Sequence, residues 1–366
     1  MTRKAWGTIA LGTAACAAAD AVDRALFLPS LLYALILWLS VSLGALAFLM
    51  MHHLSGGRWG FVIRRVLEAA LEPLPLLAVV FFAFFLLSPA LRQGEGYFAP
   101  GWIAFRAALC FAVWIGIARA LRRRSLGQDA SADPRFTRGL RRISGPGLVV
   151  YFLTISFAMT DWLMELEPGW RSTMFPGIVM STQALLALSG AVAAFFWLPK
   201  RGAEAGVLQE VATEKAWHDL GKLLFAFVIF WAYVAFSQLL VIWSGNLPHE
   251  LVWYSHRSAG GWDVLAKVIG AACFFAPAAV LLFQRPKRRP RVLARVAVAI
   301  WISQAVYLYW VVLPAFHPAL GWRWTDLLAP VAVGVIWSAL FWSAWRAAPP
   351  LPRHDPRLAQ LDLITA

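Results

Sequence analysis

The chain has 366 residues, of which 60% are hydrophobic and 14% charged. Soluble domains carry about 25% charged residues, so this composition argues against a water-soluble fold and indicates a membrane protein. A formal net charge of +14 is also typical of nucleic-acid-binding proteins. The positions of the basic residues decide between these two classes.

Ten apolar segments are long enough to cross a bilayer, which takes about 20 residues each. We predict an all-α polytopic membrane protein with about ten transmembrane helices in one domain, residues 1–348, and a short, weakly ordered cytoplasmic tail, residues 349–366. The predicted spans run near Trp6–Val22, Ser30–Met51, Leu71–Leu87, Trp102–Leu121, Gly147–Met164, Phe175–Leu198, Leu220–Trp243, Val264–Phe283, Val292–Leu313 and Leu327–Trp345.

The first segment has two interpretations. Its basic start, its alanine-rich stretch and the run Ala17-Ala18-Ala19 before Asp20 are also typical of a secretory signal peptide. We favour a retained helix and keep a cleaved signal peptide as the alternative. A retained helix makes the number of spans even, so that both termini lie on the same side.

Basic residues alternate between the loops. With the N-terminus and every second loop assigned to the cytoplasm, 26 of the 33 Lys and Arg residues fall on the cytoplasmic side. The other seven are Arg24, Arg92, Arg106, Arg171, Arg257, Lys267 and Arg323. This bias matches the positive-inside rule, so we predict that both termini are cytoplasmic and that the chain binds no nucleic acid.

The largest cytoplasmic loop, Arg119–Ser144, carries two basic runs, Arg122-Arg123-Arg124 and Arg141-Arg142. We interpret them as an orientation signal. Binding of anionic lipid head groups is the alternative, because such loops attract the charged membrane surface.

Cysteine and histidine positions argue against bound cofactors. The three cysteines stand singly and form no CxxC or CxxCH motif, so neither a c-type haem nor an iron–sulfur cluster is expected. All seven histidines lie at span ends, in loops or in the tail, whereas a membrane haem b needs two at bilayer depth. We predict that this chain binds no metal and no haem.

Ionisable residues cluster at the cytoplasmic ends of two spans. His218, Asp219 and Lys222 open the seventh predicted span, and Glu68 and Glu72 open the third. Such residues are candidates for a proton relay. We favour the alternative that the three carboxylates occupy first helical turns, where the helix dipole stabilises negative charge.

Asp161 and Glu165 lie one turn apart at the opposite end of the fifth predicted span. Asp161 precedes Trp162 inside the boundary, where burial and the helix C-terminus disfavour its charge, so it suits proton acceptance. An ion pair with Arg171 or another periplasmic arginine is the alternative, and the sequence does not separate the two.

Polar and aromatic residues of the seventh span supply further candidates. Tyr233, Ser237 and Gln238 extend a proton relay if they join the polar residues of other spans, namely Thr154, Thr160, Ser181, Thr182, Gln183, Ser303 and Gln304. We favour the alternative that these groups hold helices together. Trp243, Trp253 and Tyr254 either line a quinone site or belong to the interfacial aromatic belt.

Six runs of residues, in a fixed order over about residues 28–318, resemble a known family. They are Leu54–Gly60 with Arg64, Arg65 and Glu68; Asp161–Met164 with Leu166–Pro168 and Trp170; His218–Phe225; Phe230–Gln238; Trp243–Pro248; and Leu308–Trp310 with His317–Pro318. The family is that of the F-type membrane subunit of alternative complex III, the bacterial quinol:cytochrome c oxidoreductase.

The resemblance implies a cofactor-free subunit of two helical bundles in the bacterial inner membrane. Its implied partners are an NrfD-like C-type membrane subunit, a multi-haem cytochrome c and an iron–sulfur subunit, which carry the haem c and the clusters. It also implies that the F-type subunit helps to carry protons, while the quinol site lies in the C-type subunit. Two features depart from the family: the alanine-rich first segment and the short loop over residues 91–100.

We therefore expect a non-catalytic subunit that supports quinol oxidation through proton conduction, scaffolding or both. A stand-alone secondary transporter is the first alternative and predicts paired broken helices in two related halves. We find no such pair, since Pro277 alone interrupts a span. A structural membrane protein without redox partners is the second alternative.

Overall fold

The computed structural model describes residues 3–88, 92, 94–198, 211–352 and 354–358, and these ranges contain helices and no β-strand. The helices before the first long undescribed stretch are α1 (Arg3–Val22), α2 (Arg24–Ser55), α3 (Arg58–Ala69), α4 (Leu74–Leu87), α5 (Pro100–Ala130), α6 (Pro134–Trp162) and α7 (Phe175–Trp197). Those after it are α8 (Glu214–Gly245), α9 (Pro248–His256), α10 (Trp262–Gly270), α11 (Ala276–Leu282), α12 (Gln284–Arg288), α13 (Pro290–Val312) and α14 (Trp324–Ala347).

The prediction of an all-α, multi-pass membrane protein is confirmed. Over the described ranges, 9 helices are long and apolar enough to cross a membrane, and α3 with α4 forms a further pair bent by 48°. The described residues therefore offer nine candidate spans, or ten if the bent pair crosses as one unit.

The bent pair changes the position of two candidate residues. Pro73 and Pro75 stand at the start of α4 and disfavour a continuous helix through this point, since proline lacks an N–H and crowds the preceding turn. Glu68 consequently lies in the last turn of α3, and Glu72 lies in the turn between the helices. The interpretation of these two carboxylates as first-turn residues of a span is wrong.

The seventh predicted span also begins earlier than expected. Helix α8 starts at Glu214, where the side chain of Thr213 accepts a hydrogen bond from the backbone N–H of Ala216. This N-cap satisfies one of the free donors of the first turn. His218 and Asp219 therefore occupy the second turn, and the first-turn interpretation of Asp219 is wrong as well.

Pro277 does not break the eighth span. The chain continues from α10 into α11 through a π-helical segment, Ala271–Phe275. A π-segment is one way to accommodate the hydrogen bond that a proline cannot make. The expected interruption is therefore a local widening of one helix.

Helix contacts form two closed rings of four. The first ring consists of α2, α4, α5 and α6, and each helix contacts the next, with α6 contacting α2 again. The second ring consists of α7, α8, the π-segment with α11, and α13, and it closes where α13 contacts α7. The two rings meet mainly where α2 packs on α7, and these two spans are the most buried of the candidate spans. Helices α1 and α14 pack together outside the rings, with α14 also contacting α2.

A glycine permits the close approach of the two rings. A Cβ atom at Gly44 in α2 would lie 2.0 Å from the backbone oxygen of Gln183 in α7. Small residues at such crossings let helix backbones approach, which increases the dispersion contacts that hold membrane helices together. Gly44 therefore sets the separation of α2 and α7.

The described part of the C-terminal tail packs against the helices. Leu351 and Asp355 are both buried, and the Asp355 carboxylate accepts a hydrogen bond from Arg64 in α3. The expectation of a weakly ordered tail is wrong for these residues. Residues 359–366 lie outside the described ranges.

Replacing Gly44 by alanine is expected to lower the Tm of the detergent-purified protein by several degrees. The added methyl group would overlap the Gln183 carbonyl oxygen, and overpacking of this kind costs about 1–3 kcal/mol. Gly116→Ala in α5 is the matched control, because no atom lies within 4 Å of a Cβ at that position. Equal Tm values for the two variants would contradict the close contact between α2 and α7.

Candidate functional site

Three clusters of polar residues lie at the two ends of the bundle. The first, which we call the arginine–carboxylate network, consists of Arg64, Arg65, Glu68, Asp129 and Asp355. It lies at the basic end, where α2 ends and α3 and α8 begin. Four of the five residues are buried, and only Asp129 is partly exposed.

Glu68 is held by two guanidinium groups within its own helix. Arg64 Nε donates to Glu68 Oε1 at 2.9 Å, and Arg65 pairs with the other carboxylate oxygen. These contacts follow from i,i+4 and i,i+3 spacing, which places the side chains on one face of α3. The hydroxyl of Ser125 in α5 also donates to Glu68, so three donors stabilise the ionised carboxylate.

The network also ties distant parts of the chain together. Arg64 donates to Asp355 Oδ2 at 2.8 Å, and Arg65 binds both oxygens of Asp129 near the end of α5. Burial by itself raises the pKa of Asp355, but the hydrogen bond and charge of Arg357 and the charge of Arg64 outweigh it, so the pKa falls below its ordinary 3.8. The tail carboxylate is therefore ionised near neutral pH.

Two histidines lie buried beside this network. His52 and His53 end α2 under α3, and a Cβ at Gly60 would lie 1.8 Å from His52 Nδ1. The His52 ring contacts the rings of Trp59 and Phe61 edge-on. The absence of a side chain at Gly60 is what lets α3 cover these rings, a burial that span-end positions in the sequence do not reveal.

The second cluster consists of Asp161 and Arg106, and it decides whether Asp161 forms an ion pair, which the sequence left open. The Asp161 carboxylate is buried and accepts two hydrogen bonds from Arg106 in α5, at 2.6 and 3.0 Å. Arg106 also lies over the ring of Tyr97. Arg171 instead pairs with Glu165 at 2.6 Å, so the ion-pair alternative holds, with Arg106 as the partner.

The third cluster joins Glu167, His256 and Arg257. Arg257 is 2% exposed, donates to Glu167 at 3.2 Å and to the backbone oxygen of Val311 at 2.7 Å, and lies 3.9 Å above the ring of Trp253. Burial lowers the pKa of Arg257 to about 10, although Glu167 opposes the shift. Both charges come from connecting segments, which read as exposed loops in the sequence, so this pair was not among the candidate site residues.

An apolar cavity of about 810 Å³ opens beside the third cluster, between α8, α9, the π-segment and α13. Its lining includes Trp231, Tyr233, Gln238, Trp253, Tyr254, Arg257, Phe274, Tyr307 and Trp310. Gln238 is buried, accepts a hydrogen bond from Ser172 at 3.0 Å and lies 3.5 Å from the Tyr254 hydroxyl. Burial raises the pKa of Tyr254 to about 12, so its hydroxyl keeps its proton.

The predicted quinone-lining residues separate into two groups. Trp253 and Tyr254 line the cavity, whereas Trp243 is 73% exposed on the outer surface. Tyr233, expected within a polar thread, is 65% exposed and lies at the cavity mouth. It therefore does not continue a thread through Ser237 into the bundle interior.

The remaining polar residues of the predicted thread mostly connect neighbouring helices. Trp114 donates to Thr154 at 2.8 Å, and Trp231 donates to Thr182 at 3.1 Å. Hydrogen bonds of this kind hold helices together in lipid. They support the interpretation of these residues as contacts between helices.

At the basic end, Lys222 pairs with Asp219 at 3.5 Å, and both side chains are partly exposed. Spacing of three residues accounts for the pair. Neither residue joins the arginine–carboxylate network. Among the described residues, no group of three or more His, Cys, Asp or Glu side chains is arranged to hold a metal ion.

Comparison of the chain with models of known protein families gives no match, and comparison with curated proteins gives none either. The resemblance to the F-type subunits therefore stays a prediction.

Replacing Asp355 by asparagine is expected to lower the Tm and to expose the tail to proteases. The Asp355 carboxylate is buried and pairs with both Arg64 and Arg357. Its loss leaves Arg64 with Glu68 alone and Arg357 without this partner, and breaking buried ion pairs costs about 3 kcal/mol. Asp263→Asn is the control, because its pair with Lys267 is largely exposed and exposed pairs contribute little. A tail that stays protected from proteolysis in Asp355→Asn would contradict the anchoring role.

Proposed function

We propose that this chain is an integral membrane subunit of a bacterial quinol:cytochrome c oxidoreductase of the alternative complex III type. One observation carries the proposal: several residues that make the resemblance also build buried polar contacts. Arg64, Arg65 and Glu68 form the core of the arginine–carboxylate network, and Asp161 and Glu167 each pair with a buried or partly buried arginine.

The proposal includes an orientation of the chain in the membrane. The basic end and both termini face the cytoplasm, and the clusters around Asp161 and Arg257 face the periplasm. The distribution of Lys and Arg supports this orientation through the positive-inside rule. The chain then lies in the bacterial inner membrane beside an NrfD-like C-type subunit, with the multi-haem cytochrome c and the iron–sulfur subunit as further partners.

Within such a complex we assign the chain a scaffolding role ahead of proton conduction. Asp161, Glu165 and Glu68 each contact an arginine at 3.0 Å or less. A relay group must exchange protons readily, and a guanidinium partner opposes this because it stabilises the ionised carboxylate. The remaining ionisable relay candidates, His218, Asp219 and Lys222, lie in the second and third turns of α8, and Lys222 pairs with Asp219.

The cavity beside Gln238 is the place where a quinone fits this chain. A volume of about 810 Å³ falls within the range of about 300–1,000 Å³ of small-ligand sites, which are mostly apolar with a few polar groups. Gln238 and Tyr254 would supply hydrogen bonds, and the aromatic lining would contact a flat ring. The chain would then hold a quinone without oxidising or reducing it.

A secondary transporter receives less support. Alternating-access transporters place their site between two halves, at paired broken helices. One bent pair is found over the described ranges, and Gly44 packs directly on the α7 backbone between the two rings.

Purification in mild detergent is the main test. An affinity tag at the N-terminus, which leaves the buried tail undisturbed, is expected to bring down an NrfD-like protein, a c-type cytochrome and an iron–sulfur protein. Absorption spectra report the haem, and mass spectrometry identifies the subunits, with the untagged strain as control. Recovery of this chain without any partner subunit would contradict the proposal.

A double substitution separates scaffolding from proton relay. Asp161→Asn alone is expected to lower the Tm of the complex, because Arg106 loses its buried partner at a cost of about 3 kcal/mol. Arg106→Gln with Asp161→Asn should recover part of the Tm and keep quinol oxidation near the unmodified rate. A stable double variant that has lost turnover would show instead that Asp161 carries protons.

A further inference from the structure

Four arginines surround a second cavity at the basic end. The cavity measures about 720 Å³, and its lining includes Arg288, Arg289, Arg291, Arg295, Phe196, Trp217 and Val292. Phe196 lies in the last turn of α7, Trp217 in the first turn of α8, and Arg291 in the first turn of α13. We call this set the arginine pocket.

The arginine pocket carries more positive than negative charge. Within the described part of the chain, Glu214 is the one carboxylate that pairs with any of the four arginines, and it contacts Arg288 at 3.3 Å. The described side chains around the pocket therefore carry a net positive charge.

Helix geometry adds to the positive potential. Arg291 and Arg295 are four residues apart on α13, so their side chains share one face, where like charges repel. Helices α8 and α13 both begin at this point, and each N-terminus contributes a partial positive charge. An anion in the pocket would relieve both effects, and guanidinium groups bind phosphate oxygens in paired hydrogen bonds.

The remaining lining is apolar and lies at the level where spans end. Phe196, Trp217 and Val292 face the cavity beside the arginines. A free inorganic anion gains nothing from such a surface, whereas an acyl chain does. Basic pockets between transmembrane helices are typical sites for anionic lipid head groups.

We propose that the arginine pocket binds an anionic phospholipid, with its phosphate at Arg291 and Arg295 and its acyl chains along Phe196 and Val292. The site is separate from the basic runs of the loop over residues 119–144. It is also independent of the quinol-related proposal, because it requires only a membrane that contains such a lipid.

The test compares lipids added to the delipidated full-length protein. Phosphatidylglycerol or cardiolipin is expected to raise the Tm by several degrees more than phosphatidylcholine does. In Arg291→Gln with Arg295→Gln, this extra shift should be at least threefold smaller. Arg141→Gln with Arg142→Gln removes the same charge from equally exposed positions that do not line the pocket and should keep the full shift.

Three outcomes would overturn the proposal. Equal loss of the shift in both double variants would show general attraction to the basic surface. An equal shift with millimolar inorganic phosphate would show an anion site without lipid selectivity. Native mass spectrometry of the unmodified protein provides a measurement that needs no variant, and retention of neutral lipids alone would also contradict the site.

Discussion

Ion pairs between buried arginines and carboxylates are the interactions on which both ends of the bundle depend. A charge inside a helical membrane protein is costly unless a partner neutralises it, and here the partner comes from another element of the same chain. Arg106 and Asp161 are 55 residues apart, and Arg257 and Glu167 are 90 apart. Each pair therefore joins segments that are far apart in the sequence.

The centre of the bundle is held differently. Between the charged ends, α2 and α7 meet through a glycine, and tryptophan or tyrosine side chains reach threonine and glutamine on the next helix. Dispersion and a few hydrogen bonds supply cohesion where lipid removes the hydrophobic driving force between helices. The bundle thus has a neutral, closely packed centre and two ends at which ion pairs hold the segments in position.

Apolar length predicted nine of the ten segments that the structure offers as candidate spans, because a bilayer imposes one length on every crossing. The third predicted span corresponds to α4, which has 14 residues and reaches span length only together with α3. The predicted starts of α4 and α8 were wrong, because hydropathy does not register the turn at Pro73 or the N-cap at Thr213. The errors over Glu68 and Asp219 follow from those boundaries.

The partners of the candidate residues were not predictable from local sequence. Asp161 had several arginines available, and only the packing of α5 on α6 selects Arg106. Trp243, Trp253 and Tyr254 look alike as interfacial aromatics, yet the fold turns one outward and two towards a cavity. Contacts of this kind depend on which helices become neighbours, and a span count leaves that undetermined.

The contact between Arg64 and Asp355 has a consequence for biogenesis. The two residues are 291 positions apart, and ribosomes add about 5–20 residues per second, so roughly 15 to 60 s separate their synthesis. During that interval Arg64 pairs with Glu68 of its own helix but lacks its second carboxylate partner. The arginine–carboxylate network is complete only after translation has reached residue 355, so a chain interrupted earlier lacks the contact that joins the tail to α3.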